Sequence, residues 1–220
     1  MGKKHIVKSG DHLSKLAAKY GFVDYRVIWD HAANAALKAK RENPHVLNPG
    51  DEIIIPDKQE KTAPAAAKRT TTFELQNNQL LLRVRLKNFD NELLKPTDLC
   101  VLKTNRGVPS PLLPDNKGII EEDIDPVLEK AELLAPFHPV KLDLRIGELP
   151  TVDTPQGQRA RLNNLGYFAG FSDNEIEQFR WAVEEFKCDQ GLKPVAEPLD
   201  PITGIKSPAL RKKLHDVHGS

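Results

Sequence analysis

The sequence contains few cysteines, few aromatic residues and almost no net charge, and these shortages exclude several classes of protein. Cys100 and Cys188 are the two cysteines among 220 residues. They exclude a disulfide framework, and no Cys-x-x-Cys pattern suggests structural zinc. Two independent buried thiols are the simpler expectation, and a single disulfide stays open. Lysine and arginine number 32 against 31 acidic residues, a formal net charge of +1, so the balance gives no electrostatic case for nucleic acid or an anionic membrane as a partner.

Long apolar runs are also missing. No segment approaches the roughly 20 apolar residues that span a bilayer, so we expect no membrane insertion. The N-terminal MGKKHIVKSGDHL has basic residues without an apolar stretch behind them. We therefore expect no secretory signal and synthesis in the cytoplasm. The length is sufficient for two or three small domains, and 17 prolines indicate frequent turns and linkers.

Residues 1–56 predict the order strand, helix, helix, strand. KHIVKSG alternates polar and apolar residues, as a short strand does. Asp11 is placed to cap a first helix that Gly21 ends. The apolar positions of this helix are Leu13, Leu16, Ala17 and Tyr20. DYRVIWDHAANAALKAKRENP predicts a second helix, with Val27, Ile28, His31 and Ala35 on one face. NPHVLNPGDEIIIP then predicts a closing strand at residues 52–55, paired with residues 5–8.

Residues 57–71 are charged and rich in alanine and proline, and we interpret them as a linker. Residues 72–150 contain short strand-like runs separated by Asn, Pro, Asp and Gly: TFELQ, QLLLRVRLKNF, DLCVLKTN and PVKLDLRIGEL. In LLLRVRL, Leu82, Val84 and Leu86 alternate with arginines, which predicts a half-buried strand. A small β-sandwich is the simplest architecture for this region. EEDIDP, residues 121–126, is interpreted as a solvated turn.

Residues 151–220 predict three short helices around one core. The first lies in QGQRARLNNLGYF, and the third begins at Ser207-Pro208. The second, DNEIEQFRWAVEEFKCDQGL, has one apolar stripe made of Ile176, Phe179, Ala182, Val183 and Phe186. The predicted fold class is therefore multi-domain α+β.

The N-terminal region resembles the LysM domain, a small βααβ module, through VKSGDHLSKLAAKYG, the region of Asn34, and LNPGDEIIIP. The resemblance implies binding of N-acetylglucosamine-containing glycans such as peptidoglycan or chitin. It places the sugar in a shallow groove between two loops. The implied carbohydrate-binding residues are Gly10, Asp11, His12 and Leu13 on one side and Val46, Leu47, Asn48 and Pro49 on the other. His12 stands where the family usually has a small hydroxyl residue, and the second helix and its exit loop are longer.

The C-terminal region resembles the three-helix peptidoglycan-binding domain of cell-wall hydrolases through RLNNLGYFAG, AVEEFKCDQGL and TGIKSPALRKKL. The implied core residues are Leu162, Leu165, Val183, Phe186, Leu192, Leu210 and Leu214. The sequence GFSDNEIEQFRW replaces the usual short Asp-Gly loop. The candidate glycan-binding residues here are Tyr167, Phe168, Arg180 and Trp181.

PDNKGIIEEDI in the middle region is similar to a turn of immunoglobulin-like or prealbumin-like modules. The order LysM, β-sandwich, three-helix domain resembles accessory proteins of bacterial type VI secretion and related contractile injection systems. That resemblance implies spike or effector proteins as partners. It also implies action in the periplasm or on a target cell wall after delivery from the bacterial cytoplasm.

Peptidoglycan hydrolysis needs a carboxylate pair, a Cys/His pair or a metal site in a recognisable context. His12, His31 and His45 could gather, but His31 is expected on an apolar helix face and His45 precedes the strand, so packing or hydrogen bonding explains both of these. We expect no catalytic residues, no metal and no cofactor. Trp29 is interpreted as a core residue and Trp181 as the better sugar platform. Two functions follow: a non-catalytic peptidoglycan-binding accessory protein, or a structural adaptor or chaperone that contacts spike or effector proteins without binding glycan.

Overall fold

The computed structural model describes residues 2–41, 43–59, 70, 80–88, 90, 92–105, 107–138, 140–193, 199–200 and 204–219. The chain divides into two compact units. The first contains Met1–His45 and Pro49–Glu148, and the second contains Val46–Asn48 and Leu149–Ser220. Both helices and strands occur among the described residues, as the predicted mixed fold class requires.

The N-terminal part of the chain contains a two-stranded antiparallel sheet and short helices. In chain order these are β1 (Lys3–Ile6), α1 (Leu13–Tyr20), α2 (Arg26–Trp29), a 3-10 turn (Ala32–Asn34), α3 (Ala35–Lys40) and β2 (Glu52–Ile55). Lys3 pairs with Ile55 and Ile6 with Glu52. The predicted pairing with residues 5–8 is therefore wrong by two residues. The Lys8 amide donates to the carboxylate of Asp11, which turns the chain away from β2.

The predicted second helix is interrupted, and Asn34 explains the interruption. Its buried amide donates to the carbonyls of Ile28 and Ile54 and accepts from the Ile54 amide, each at 2.8 Å. A side chain that bonds the main chain in this way competes with helical hydrogen bonds. The predicted apolar face is confirmed at Ile28 and wrong at its other three positions. Ile28, Trp29 and Leu37 are buried, whereas Val27, His31 and Ala35 are exposed.

The ends of α1 correct one prediction and confirm another. Gly21 ends the helix with a left-handed φ of 73°, which glycine adopts without steric cost. His12, not Asp11, is the N-cap, because its ring Nδ1 accepts from the Lys15 amide at 3.4 Å.

The described residues of the middle part form six strands in two antiparallel sheets. They are β3 (Leu80–Arg85), β4 (Cys100–Thr104), β5 (Ser110–Leu112), β6 (Ile119–Ile124), β7 (Lys130–Ala135) and β8 (Val140–Arg145). β3 pairs with β6, and the other sheet has the order β5-β4-β7-β8. Both sheets contribute to one core that includes Leu86, Ile120, Leu102 and Leu133. We call β3–β8, their connections and residues 146–148 the sheet domain.

The alternation of Leu82, Val84 and Leu86 with exposed arginines in and after β3 is confirmed. The interpretation of EEDIDP as a turn is wrong for its first four residues, which belong to β6. There Glu121 faces outward and pairs with Arg83 at 2.9 Å across the strands. The predicted strand TFELQ and residues 60–69 and 71 of the predicted linker lie outside the described residues.

The second unit contains α4 (Pro155–Asn164), α5 (Ile176–Asp189), β9 (Leu199–Asp200), β10 (Gly204–Ile205) and α6 (Pro208–His218). The apolar stripe of α5 faces the core as predicted, since Phe179, Ala182, Val183 and Phe186 are buried and Ile176 packs against them. The Ser207 hydroxyl caps α6 by accepting from the Leu210 amide. Leu192 is 38% exposed, so its predicted place in the core is wrong.

Both cysteines are free. Cys100 is buried as expected, whereas Cys188 is exposed and the prediction of a second buried thiol is wrong. Within the described ranges, no helix combines the length and the apolar character that crossing a membrane requires.

Candidate functional site

The loop between β1 and α1, residues 7–12, was expected to form one wall of a glycan groove, and its side chains form several hydrogen bonds within the protein. The Asp11 carboxylate accepts from the Lys8 amide at 2.9 Å and lies 3.0 Å from His5 Nε2. Burial opposes the charge of Asp11, but the Lys8 amide and His5 outweigh it, so the pKa of Asp11 lies below its ordinary value. Gly10 is partly exposed with a φ of 81°, and Asp11 is buried.

His12 and Leu13, the next two candidate residues, are almost completely inaccessible, with exposed fractions of 1% and 0%. The His12 ring contacts His45 edge to face, and His45 contacts Tyr25 in the same way. Burial, followed by the nearby His45 and Lys15, lowers the pKa of His12 to about 4. Burial also lowers the pKa of His45. The main chain of Pro126 approaches the His12 ring and partly offsets the fall in the pKa of His12. Within the described part of the chain, His45 Nδ1 has no hydrogen-bond partner.

The sheet domain covers the β1–α1 loop. Gly147 follows β8 with a φ of 80°, and a Cβ at this position would lie 2.8 Å from His12 Cδ2 and 3.0 Å from the Gly10 carbonyl oxygen. The turn between β6 and β7 contributes Glu129, whose carboxylate lies 2.8 Å from Lys15 Nζ. The same ammonium donates to the Gly10 carbonyl at 3.2 Å. The first wall of the expected groove is therefore in contact with the protein's own residues.

In the other expected wall, Val46–Asn48 belong to the second unit and Pro49 belongs to the first. Val46 and Leu47 are buried, Asn48 is partly buried and Pro49 is exposed. The side-chain oxygen Oδ1 of Asn48 accepts from the Thr151 main-chain amide at 3.2 Å. Of these four candidates, Pro49 alone is exposed.

The four C-terminal candidates differ in their surroundings. Tyr167 is half-buried, with its ring against Phe186 and its hydroxyl donating to Asp189 at 2.8 Å. Burial and the Asp189 carboxylate raise the pKa of Tyr167 to about 12. Arg180 pairs with Glu177 one turn away on the surface. Phe168 is 57% exposed and Trp181 58% exposed, so both present aromatic surface to solvent.

Sequence reasoning missed Phe171, which is 82% exposed and contacts Phe168 edge to face at 5.9 Å between ring centroids. Buried and partly buried side chains form hydrogen bonds with the main chain of the loop that carries both rings. The Asn163 amide bonds Ala169 and Gly170, and the Arg159 guanidinium donates to the carbonyls of Ala169 and Glu175. The sequence feature that could have indicated this exposed pair is two phenylalanines three residues apart in a loop rich in glycine and polar residues.

The described residues contain no group of three or more His, Cys, Asp or Glu side chains that could hold a metal ion. The imidazole of His12 is buried and that of His45 is partly buried. The polar side chains described above bond mainly to loops and helix ends.

A LysM domain lies near the N-terminus, since the model of the LysM domain family matches residues 5–31. LysM domains generally bind peptidoglycan or chitin glycans. The match includes the β1–α1 loop, α1 and α2 and ends before α3 and β2. The comparison with curated proteins and the comparison with solved structures gave no match.

Proposed function

We propose that this chain is a non-catalytic accessory protein that binds N-acetylglucosamine-containing glycans, with peptidoglycan as its principal ligand. The observation that carries the proposal is the LysM domain at residues 5–31. The βααβ order is preserved around it, although the second helix is divided. Of the residues that the resemblance implies, Gly10, Asn48 and Pro49 remain at least partly exposed, and main-chain and amide groups of this kind suit the acetamido groups of the sugar.

The second unit is proposed to add a weaker contact through exposed aromatic rings. Phe168 and Trp181 are each more than half exposed, and aromatic faces suit the apolar faces of sugar rings. Two weak contacts on one chain raise the overall affinity through effective concentration, provided that both reach the same polymer.

Absence of catalysis is part of the proposal. Arg159 and Arg161 are buried and donate to main-chain carbonyls, and the Asp11 carboxylate is occupied by Lys8 and His5. No nucleophile, base and orienting group stand together among these perturbed residues. Release of soluble fragments from purified peptidoglycan by the full chain would contradict this part.

The test is co-sedimentation of the full chain with insoluble peptidoglycan. We expect retention of the wild type and a loss of at least threefold in a Phe168→Ser, Trp181→Ser double variant, because each ring contributes a sugar contact. Phe137→Ser is the matched control, since Phe137 is 77% exposed on the sheet domain. Complete absence of the wild type from the pellet would contradict glycan binding.

A second candidate function is a structural adaptor or chaperone in which the LysM fold makes protein contacts. The burial of His12 and Leu13 and the contact with Gly147 favour it, because the loop that would meet sugar already meets protein. We propose a contractile injection system of the type VI kind as the setting for either function. Co-purification with a spike or effector protein, in the absence of peptidoglycan binding, would select the adaptor.

A further inference from the structure

The contact between the β1–α1 loop and the sheet domain leaves no space for a sugar. At Gly147 even one added carbon would lie within 3.0 Å of two atoms of the loop, His12 Cδ2 and the Gly10 oxygen. A pyranose ring is much larger than a methyl group. The Gly10–Leu13 side of the LysM domain can therefore accept glycan only if the residues around Gly147 move away.

The polar part of this contact is small. Lys15 joins the Gly10 carbonyl to the Glu129 carboxylate, and its side chain is 20% exposed against 65% for that of Glu129. An ion pair with one well-exposed partner contributes little to stability and is weakened by salt. Such a contact is suited to reversible separation.

His12 supplies an independent observation. It is 1% exposed, its Cδ2 edge faces Gly147, and the main chain of Pro126, in the turn between β6 and β7, approaches the same ring. Two separate segments of the sheet domain therefore enclose one imidazole of the β1–α1 loop. Separation of the sheet domain would expose this ring to water or to a sugar hydroxyl.

We propose that the sheet domain is an intramolecular cover, in which Gly147 and Glu129 close the Gly10–Leu13 side of the LysM domain and glycan binds after the cover has moved. The inference rests on the proposed glycan-binding function. It assigns to the middle of the chain a regulatory role: control of access to the LysM domain.

The experiment uses the full chain with Glu129→Lys, which places a positive charge against Lys15. We expect faster amide hydrogen exchange at Gly10–Leu13 and at least a threefold gain in retention on insoluble peptidoglycan. Glu132→Lys is the matched control, because Glu132 pairs with Lys103 and Lys141 on the same sheet. The charge exchange Lys15→Glu with Glu129→Lys should restore both measurements to wild-type values.

Gly147→Ala tests the same contact without a change of charge. Gly107→Ala is the control for the backbone strain that alanine causes at a positive φ. Gly107 has a φ of 130° and its nearest neighbouring atom would lie 3.9 Å from an added Cβ. Gly147→Ala should also increase exchange and retention, whereas Gly107→Ala should not. Unchanged exchange at Gly10–Leu13 in both Glu129→Lys and Gly147→Ala would overturn the cover.

The two proposals fail in different ways. If the variants show faster amide exchange at Gly10–Leu13 but bind peptidoglycan no better than the wild type, the sheet domain does not control access to the LysM domain. In that case the glycan-binding proposal still stands if the wild type is retained on peptidoglycan. If neither the wild type nor any variant is retained, the glycan-binding proposal fails as well. Faster exchange with increased retention supports both.

Discussion

At the residue scale, His12 makes contacts that the sequence around it does not predict. It caps α1 through Nδ1, contacts His45 and lies under the sheet domain. An imidazole in such surroundings stays neutral because burial disfavours the cation, and its pKa of about 4 follows mainly from that burial. A neutral ring is also what the cap requires, since Nδ1 must accept a hydrogen bond.

This burial predicts a dependence of stability on pH. His12 has a pKa of about 4 in the folded chain and an ordinary value of 6.5. Between these values the unfolded state binds a proton that the folded state does not, so the free energy of unfolding falls as the pH is lowered from 6.5 towards 4. The loss from His12 should be about 2 kcal/mol between about pH 7 and about pH 5.

His12→Asn keeps a good capping side chain and removes the titration, so it should lose less stability over this range than the wild type. Denaturant unfolding followed by Trp29 fluorescence in a Trp181→Phe background measures the difference. His31→Asn is the matched control, because His31 is exposed and also accepts a main-chain hydrogen bond at the start of a helical turn. Equal pH dependence in wild type and His12→Asn would refute the assignment.

At the scale of the element, α4 buries polar side chains on its inner face. Gln158 is 0% exposed, donates to the Val152 carbonyl at 2.9 Å and accepts from the Ile205 amide at 2.7 Å. Arg161 donates to the carbonyls of Pro150 and Gly157, and burial lowers its pKa to about 10. The helix therefore joins neighbouring segments through hydrogen bonds as well as through apolar contact.

Gln158→Leu should destabilise the second unit by about 2–4 kcal/mol, because it leaves a buried amide and a buried carbonyl without partners. Gln156→Leu on the exposed side of the same helix should change stability by about 0.5 kcal/mol or less, since Gln156 makes two long contacts of 3.3 Å to Asp173. Denaturant unfolding of the two full-length variants, monitored by Trp181 fluorescence in a Trp29→Phe background, compares them. A loss below 1 kcal/mol for Gln158→Leu would show that water replaces both bonds.

The contrast between α5 and α4 shows what the sequence could predict. The stripe of α5 repeats at helical spacing and predicts both the helix and its buried side. Gln158 and Arg161 carry polar side chains that predict a solvated face, and their burial depends on carbonyls from other segments. β6 was missed for a related reason, since the three acidic residues 121–123 separate Ile120 from Ile124.

The candidate site was predicted less completely than the fold. The sequence located the β1–α1 loop, and the LysM match includes it. The cover could not be predicted, because it depends on contacts such as that between Lys15 and Glu129, which lie 114 positions apart. Local patterns carry no information on pairing at that separation.

At the scale of the whole molecule, the near balance of charge is built from local pairs. Arg83 with Glu121, Lys141 with Glu132 and Lys212 with Asp216 each lie within 3.0 Å. Interspersed opposite charges cancel at distances beyond the Debye length, which is about 8 Å at physiological ionic strength. The surface is therefore not suited to long-range attraction of an anionic polymer.

This balance predicts that glycan binding depends little on salt. Retention on peptidoglycan should fall by less than about threefold between 50 and 300 mM NaCl, because loop amides, carbonyls and aromatic rings release no counterions. Screening of the Lys15–Glu129 pair acts in the other direction, since it favours access to the LysM domain. Co-sedimentation at the two salt concentrations measures it. The variant Glu121→Lys, Glu132→Lys raises the formal net charge from +1 to +5, since each change adds two, and its retention should become salt-dependent. A tenfold loss for the wild type at high salt would instead mean that lysine and arginine side chains, rather than the loops of the LysM domain, hold the polymer.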